Sequence, residues 1–251
     1  MKKIWNTKHP DLKITSNNPK TIWQNLRFIF RKSCSRESCW LKHKLFDENI
    51  PLEDKKNIFA PKAPEEWKAK PDEWLSSIEI IEVMKQYEKT YKCFEFIGPS
   101  PIDYDQHLSY GECVWEELCK FNLQENINKG KFKIGIIFNL DKHDKEGSHW
   151  VALFINIKKK EIYYLDSYGE KIPRQINKFA NKVKKQARSL NLPEFKLLIN
   201  KKRHQFSESE CGMYSLYFII QMLKHGNFKK FTNTHIKDNY MKKLRKIYFN
   251  Q

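Results

Sequence analysis

Lys202-Arg203-His204-Gln205-Phe206-Ser207-Glu208-Ser209-Glu210-Cys211-Gly212-Met213-Tyr214-Ser215-Leu216-Tyr217-Phe218-Ile219-Ile220-Gln221 turns from polar to apolar at a single cysteine. After Cys211, Tyr214, Tyr217, Phe218, Gln221 and Met222 recur at the spacing of one helical face. Before it the composition is that of a loop, and Ser207, Ser209 and Glu210 are residue types found at helix starts. Cys211 is therefore expected at the N-terminus of a buried helix, where the dipole and free N–H groups favour negative charge on the sulfur. Gly212 leaves backbone room beside it. A cysteine in this position is more commonly a structural core residue, so the remainder of the chain has to supply its partners.

The chain has 251 residues, 40% of them hydrophobic, with 17 Phe and 11 Tyr. That supports a large folded domain and argues against global disorder. Net charge is +17. A basic surface attracts nucleic acid, acidic protein or anionic membrane, although the lysines are widely spread and many alternate with glutamate. No run approaches the length of a membrane span and no signal peptide is recognisable. Cys34, Cys39, Cys93, Cys113, Cys119 and Cys211 form no C-x-x-C pair and are expected as reduced thiols of an intracellular protein. Cys34 and Cys39 with His43 hint at zinc, but no second pair matches them, and neither a metal nor a cofactor is assigned.

Residues 1–64 are expected to form a helical arm and 65–251 the main domain. In the arm, Trp23, Leu26 and Phe30 have helical spacing beside a basic flank of Arg27, Arg31, Lys32 and Arg36. Trp40 to Phe46 suggests a second short helix. Ala60-Pro61-Lys62-Ala63-Pro64 marks the linker. The main domain opens with a helix starting in Pro71–Ser77, whose apolar stripe runs through Ile78 and Ile81. Then come a short strand at Phe94–Gly98, a loop, and a helix over Cys113–Phe121. Strands follow at Lys133–Leu140, His149–Ile157 and Glu161–Ser167, then a basic amphipathic helix over Ile172–Leu190 and a strand at Phe195–Ile199.

The turn at Lys158–Lys160 makes the second and third of those apolar strands an antiparallel hairpin. The first residue of one then lies beside the last of the next, bringing His149 and Asp166 to one sheet edge. A free thiol is a poor nucleophile at neutral pH. A histidine within reach can take its proton, and a carboxylate on the other ring nitrogen fixes tautomer and orientation. His149 is thus the candidate base and acid, Asp166 its orienter and Cys211 the nucleophile. Gln205 and the Cys211 N–H are candidate donors to an oxyanion.

The order His149-Trp150, Asp166-Ser167, Gln205, Cys211-Gly212 resembles the Ulp1-type ubiquitin-like-protein proteases, a class that includes the adenovirus protease and the virion proteases of large DNA viruses. The resemblance covers about residues 71 to 225. Ile136–Asp141 and Pro99–Tyr104 look like the large-DNA-virus branch in particular. The family implies an α+β fold, with a mixed central sheet packed on a Cys-bearing helix, and cleavage after Gly-Gly or similar small residues. By the same resemblance Trp74 and Trp150 would roof a narrow substrate tunnel, with Gly212 beside it. Ser77 stands where the cellular enzymes usually carry aspartate, which weakens the case for a SUMO-type substrate.

The resemblance thus implies a viral cysteine endopeptidase that processes structural polyproteins during virion maturation, in the host cytoplasm and the virion. One alternative is a deubiquitinase or deSUMOylase acting on host conjugates. Another is an inactive protease fold serving as a basic nucleic-acid-binding scaffold, though an inactive copy has no chemical reason to retain all four site residues. Its partner is expected to be a protein with small residues at the cleavage site, with nucleic acid as a second partner through the basic surface.

Overall fold

The structure is a computed structural model and describes residues 1–34, 37–51, 54, 55 and 60–250. Arg36 of the basic flank lies outside them. The chain divides into two compact units, Met1–Pro61 and Lys62–Phe249.

The first unit holds helices α1 (Lys2–Lys8), α2 (Pro19–Phe30) and α3 (Lys44–Asp47). Asn18 starts α2 by accepting from the backbone N–H of Lys20 and Thr21, with Pro19 in the first turn. Trp5, Leu26, Phe30, Trp40 and Phe46 form its core. Trp23, at helical spacing with the buried Leu26 and Phe30, is exposed, with Arg27 lying over its ring. His43 caps α3 through Nδ1 and stacks edge-on against Phe30, so its ring serves packing and capping.

Cys34 is bonded to Cys39 and Cys113 to Cys119, leaving Cys93 and Cys211 free among the described residues. This corrects the expectation of uniformly reduced thiols. Tight local folding brings each pair within bridging range, at Cα separations of 5.5 and 6.3 Å.

The second unit is α+β, built on a mixed sheet of β1 (Phe94–Pro101), β2 (Lys133–Asn139), β3 (Trp150–Asn156), β4 (Glu161–Leu165) and β5 (Lys196–Ile199) in that spatial order. β2–β3 and β3–β4 are antiparallel, while the outer pairs β1–β2 and β4–β5 are parallel. The period-2 alternation sends side chains into two separate cores. Ile137, Ala152, Phe154, Tyr163 and Leu165 face one layer. Ile136, Val151, Leu153, Ile162 and Tyr164 face the other. Burial on both faces is why these strands read as continuous apolar runs.

The first layer contains α4 (Ser77–Thr90) and the Cys-bearing helix, Cys211–Lys224; the second contains Arg174–Ser189. α4 opens with a capping box, Ser76 and Glu79 each bonding the other's backbone. It buries Ile80, Val83 and Met84 and leaves Ile78 exposed, so the stripe is rotated from the one read in the sequence. The box sets the start at Ser76, and Trp74-Leu75 precede the helix as extended chain.

Two further expectations shift. β1 continues through Gly98-Pro99 to Pro101, with an irregular register between Ile97 and Ser100. As an edge strand it tolerates prolines. The Cys113–Phe121 helix shrinks to α5 (Glu116–Cys119), because Cys113 is held in an antiparallel bridge with His107. Chain order continues with α6 (Leu123–Asn128), α7 (Arg174–Ser189), α8 (Cys211–Lys224), α9 (Phe228–Asn233) and α10 (Asp238–Tyr248). Among the described residues no helix is long and apolar enough to cross a membrane.

Candidate active site

The hairpin register pairs Ala152 with Leu165. Continued outward, it brings the residues just before β3 opposite those just after β4. His149 and Tyr168 rings stack there at a centroid distance of 4.8 Å. His149 Nε2 lies 2.9 Å from Asp166 Oδ1, which also accepts the Tyr168 N–H at 2.8 Å. Asp166 is buried, and Asn200 holds its backbone carbonyl through a 3.0 Å bond.

Cys211 is buried at the first position of α8. Its side chain lies close enough to His149 to strengthen the imidazole's hold on its proton. Since Asp166 occupies Nε2, Nδ1 is the nitrogen left for the sulfur. Burial opposes the imidazolium, but the hydrogen bond to Asp166 and the nearness of Cys211 outweigh it, and His149 is pushed up to about 9. The geometry therefore assembles an imidazole between a carboxylate and a thiol, the arrangement for thiol activation and proton return.

Gln205 is fully buried. Its Oε1 accepts from Ser167 Oγ at 2.6 Å, and its amide donates to Ser207 O at 2.7 Å and to Tyr168 Oη at 3.3 Å. Both amide hydrogens thus have partners, one in the loop before Cys211 and one on Tyr168 just after β4. Asp238 at the start of α10 fixes that loop, its Oδ2 accepting from the backbone of Phe206 and Ser207.

Trp150 is buried, with Nε1 donating to Leu75 O at 2.8 Å, whereas Trp74 is 38% exposed. Both line a cavity of about 520 Å³ together with Ser77, Ser100, Trp115 and Gly147. Neither His149 nor Cys211 lines it; it adjoins them through Gly147 and Trp150. Gly212 is buried against Leu75. A Cβ added there would stand 2.9 Å from Leu75 Cβ, so its missing side chain serves helix packing.

Some supporting residues gave no sign in the sequence of the partners they take up. Glu210, the residue before Cys211, is buried and lies 3.4 Å from Arg245 of α10, which also donates to Glu73 O at 2.6 Å. Burial raises the Glu210 pKa, and Arg245 works against that rise. Buried His204 is pushed down to about 4, chiefly by burial and then by the charges of His235 and Lys202.

Residues 81–251 match the family described as Ulp1 protease family, C-terminal catalytic domain. A protein of Acanthamoeba polyphaga mimivirus named as a thiol protease is 32% identical over 243 residues, covering 95% of this chain and 77% of its own. The SUMO-1 cysteine protease of African swine fever virus is 26% identical over 179 residues, covering 68% of this chain and 66% of its own. The crystal structure of the African swine fever virus protease superposes with a TM-score of 0.70 at 23% identity, over 94% of this chain and 93% of that one. At that identity the structural likeness speaks for the fold.

Proposed function

The chain belongs to the Ulp1 protease family and is a cysteine peptidase, and from that premise we infer that Cys211, His149 and Asp166 are its catalytic triad. Cys211 Sγ attacks the scissile carbonyl after giving its proton to His149. The carbonyl oxygen becomes an oxyanion, received by the Cys211 N–H and the Gln205 amide, which gives up its longer bond to Tyr168. His149 returns the proton to the leaving amine. Water then attacks the thioester, with His149 as base, and releases Cys211. Asp166 holds the imidazole in place throughout. The observation that carries this reading is the 2.9 Å bond from His149 Nε2 to Asp166 Oδ1 on an imidazole that also meets Cys211.

The substrate in this proposal is a protein cut after small residues, as in viral structural polyproteins during virion maturation, at assembly sites in the host cytoplasm and in the particle. Trp74 and Trp150, both on the cleft, form the approach that admits small residues. The first unit serves docking to the assembling particle, and the basic surface supplies contact with nucleic acid. Purified wild type and Cys211→Ala are incubated with peptides carrying Gly-Gly-Xaa and Ala-Gly-Xaa. Cleavage by wild type alone supports nucleophile and specificity together; equal cleavage by both proteins rejects Cys211.

The name of the African swine fever virus relative favours a second reading, removal of SUMO-like modifiers. A SUMO vinyl sulfone probe decides between them. Rapid labelling of Cys211 selects the second reading, and absence of labelling in a peptide-cleaving enzyme selects the first.

A further inference from the structure

Away from Cys211, one cluster of side chains is organised without serving the reaction. His107, Cys113 and Cys119 place their ligating atoms within 4.8 Å of one another. Backbone structure holds them there. His107 and Cys113 form an antiparallel bridge, closed by bonds from Leu108 N to Glu112 O and from Gly111 N to Leu108 O. Helix α5 then returns Cys119 to the same spot. His107 Nε2 lies 3.7 Å from Cys113 Sγ. Zinc held at ordinary Zn–N and Zn–S lengths in a tetrahedron separates its nitrogen and sulfur ligands by about 3.6 Å. A disulfide alone has no need of an imidazole at that distance.

Glu116 accepts the Cys113 N–H through Oε1 at 3.1 Å and pairs with Lys120 through Oε2, and Lys182 donates to Cys119 O. Cys113 is buried, Cys119 half-buried and His107 exposed, so one side of the cluster faces water. Two soft thiolates and an imidazole select zinc over magnesium or calcium.

We propose that His107, Cys113 and Cys119 form a zinc site once the Cys113–Cys119 pair is reduced, with water as the fourth ligand. Two equivalents of a thiol reductant convert the disulfide to two cysteine thiols and become a disulfide themselves. Zn²⁺ then displaces both thiol protons and binds the sulfurs, which open to about 3.8 Å apart. The metal would pin the hairpin to α5. Val114 and Trp115, the two residues after Cys113, line the cleft beside Trp74 and Trp150, so the site would brace one wall of that cleft.

The full chain is reduced with a thiol, freed of reductant without air, and titrated with Co²⁺ and then Zn²⁺. Wild type is expected to show a thiolate-to-cobalt charge-transfer band saturating with the metal and bleached by zinc. Cys113→Ser and Cys119→Ser should lose one equivalent, and Cys34→Ser and Cys211→Ser should not. His107→Ala, at an exposed position that should not threaten folding, should weaken binding by more than about tenfold, the loss that even an outer-shell partner can bring. The proposal is overturned if reduced wild type gives no band, if the band survives in Cys113→Ser, if His107→Ala binds as tightly as wild type, or if alkylation and mass measurement find Cys113 and Cys119 still bridged after reduction.

Discussion

The Asp166 carboxylate and the His149 imidazole, from the flanks of adjacent strands, meet at 2.9 Å through Oδ1 and Nε2. That contact leaves the opposite ring nitrogen to Cys211. It also stacks the ring on Tyr168, the residue whose N–H shares the same carboxylate oxygen.

Asp166→Asn should cut kcat by about 10³–10⁴-fold, because the amide stabilises neither the tautomer nor the imidazolium. The alkaline limb should move as well. His149 keeps its proton up to about 9 with Asp166 in place, so wild-type activity should fall above that pH, and the variant's limb should lie lower. A pH–kcat profile with an unmoved limb would refute this role for Asp166.

Stability should carry the same signature. The folded His149 pKa is raised from 6.5 to about 9. Its contribution is therefore complete below about pH 6.5 and is lost as pH rises through about 9. The amount is on the order of 3 kcal/mol. Urea midpoints of wild type and His149→Gln across this range should converge as pH rises; parallel curves would exclude the linkage.

Gln205→Ala should lower kcat by about 10²–10³-fold with little change in KM if its amide meets the oxyanion. Because Gln205 also accepts from Ser167 and holds Ser207, circular dichroism must first show a folded variant. A KM effect with unchanged kcat would assign it to loop positioning alone.

Gly212→Ala forces a carbon to within 2.9 Å of Leu75 Cβ, an atom fixed to the backbone and unable to swing aside. Helix α8 and the Trp74-Leu75 segment must separate, costing about 1–3 kcal/mol. Thermal unfolding measures the loss. An unchanged midpoint would mean that the segment is free to move.

Arg245→Met should destabilise by about 3–5 kcal/mol, since it strands the buried Glu210 carboxylate. Adding Glu210→Gln should recover much of it. A double variant as unstable as the single would place the cost in the lost bond to Glu73 O instead.

The sheet and the Cys-bearing helix were legible because their signals are local. The Lys158–Lys160 turn and two apolar runs specify the β3–β4 hairpin, and the polar-to-apolar change at Cys211 specifies the start of α8. Asn200, Glu210, Asp238 and Arg245 were not legible as site supports. Each is a polar residue whose partner is chosen by tertiary approach, and Arg245 reaches back to Glu73 across most of the second unit. Ile78 misled for the opposite reason. Its apolar character fits a stripe, but the Ser76–Glu79 capping box fixes the helix phase and turns it to solvent.

The strand order β1-β2-β3-β4-β5 bears on when the proposed triad can assemble. The three central strands form an antiparallel meander whose loops cost less entropy to close than the outer crossovers. The outer strands join by parallel pairing across long crossovers and belong to a later stage. His149 and Asp166 flank that meander, whereas Cys211 opens a helix that follows β5 in the chain. On the proposed triad, a chain in which only the meander has formed holds the imidazole and the carboxylate without the thiol, and cutting has to wait for α8 to pack on the sheet.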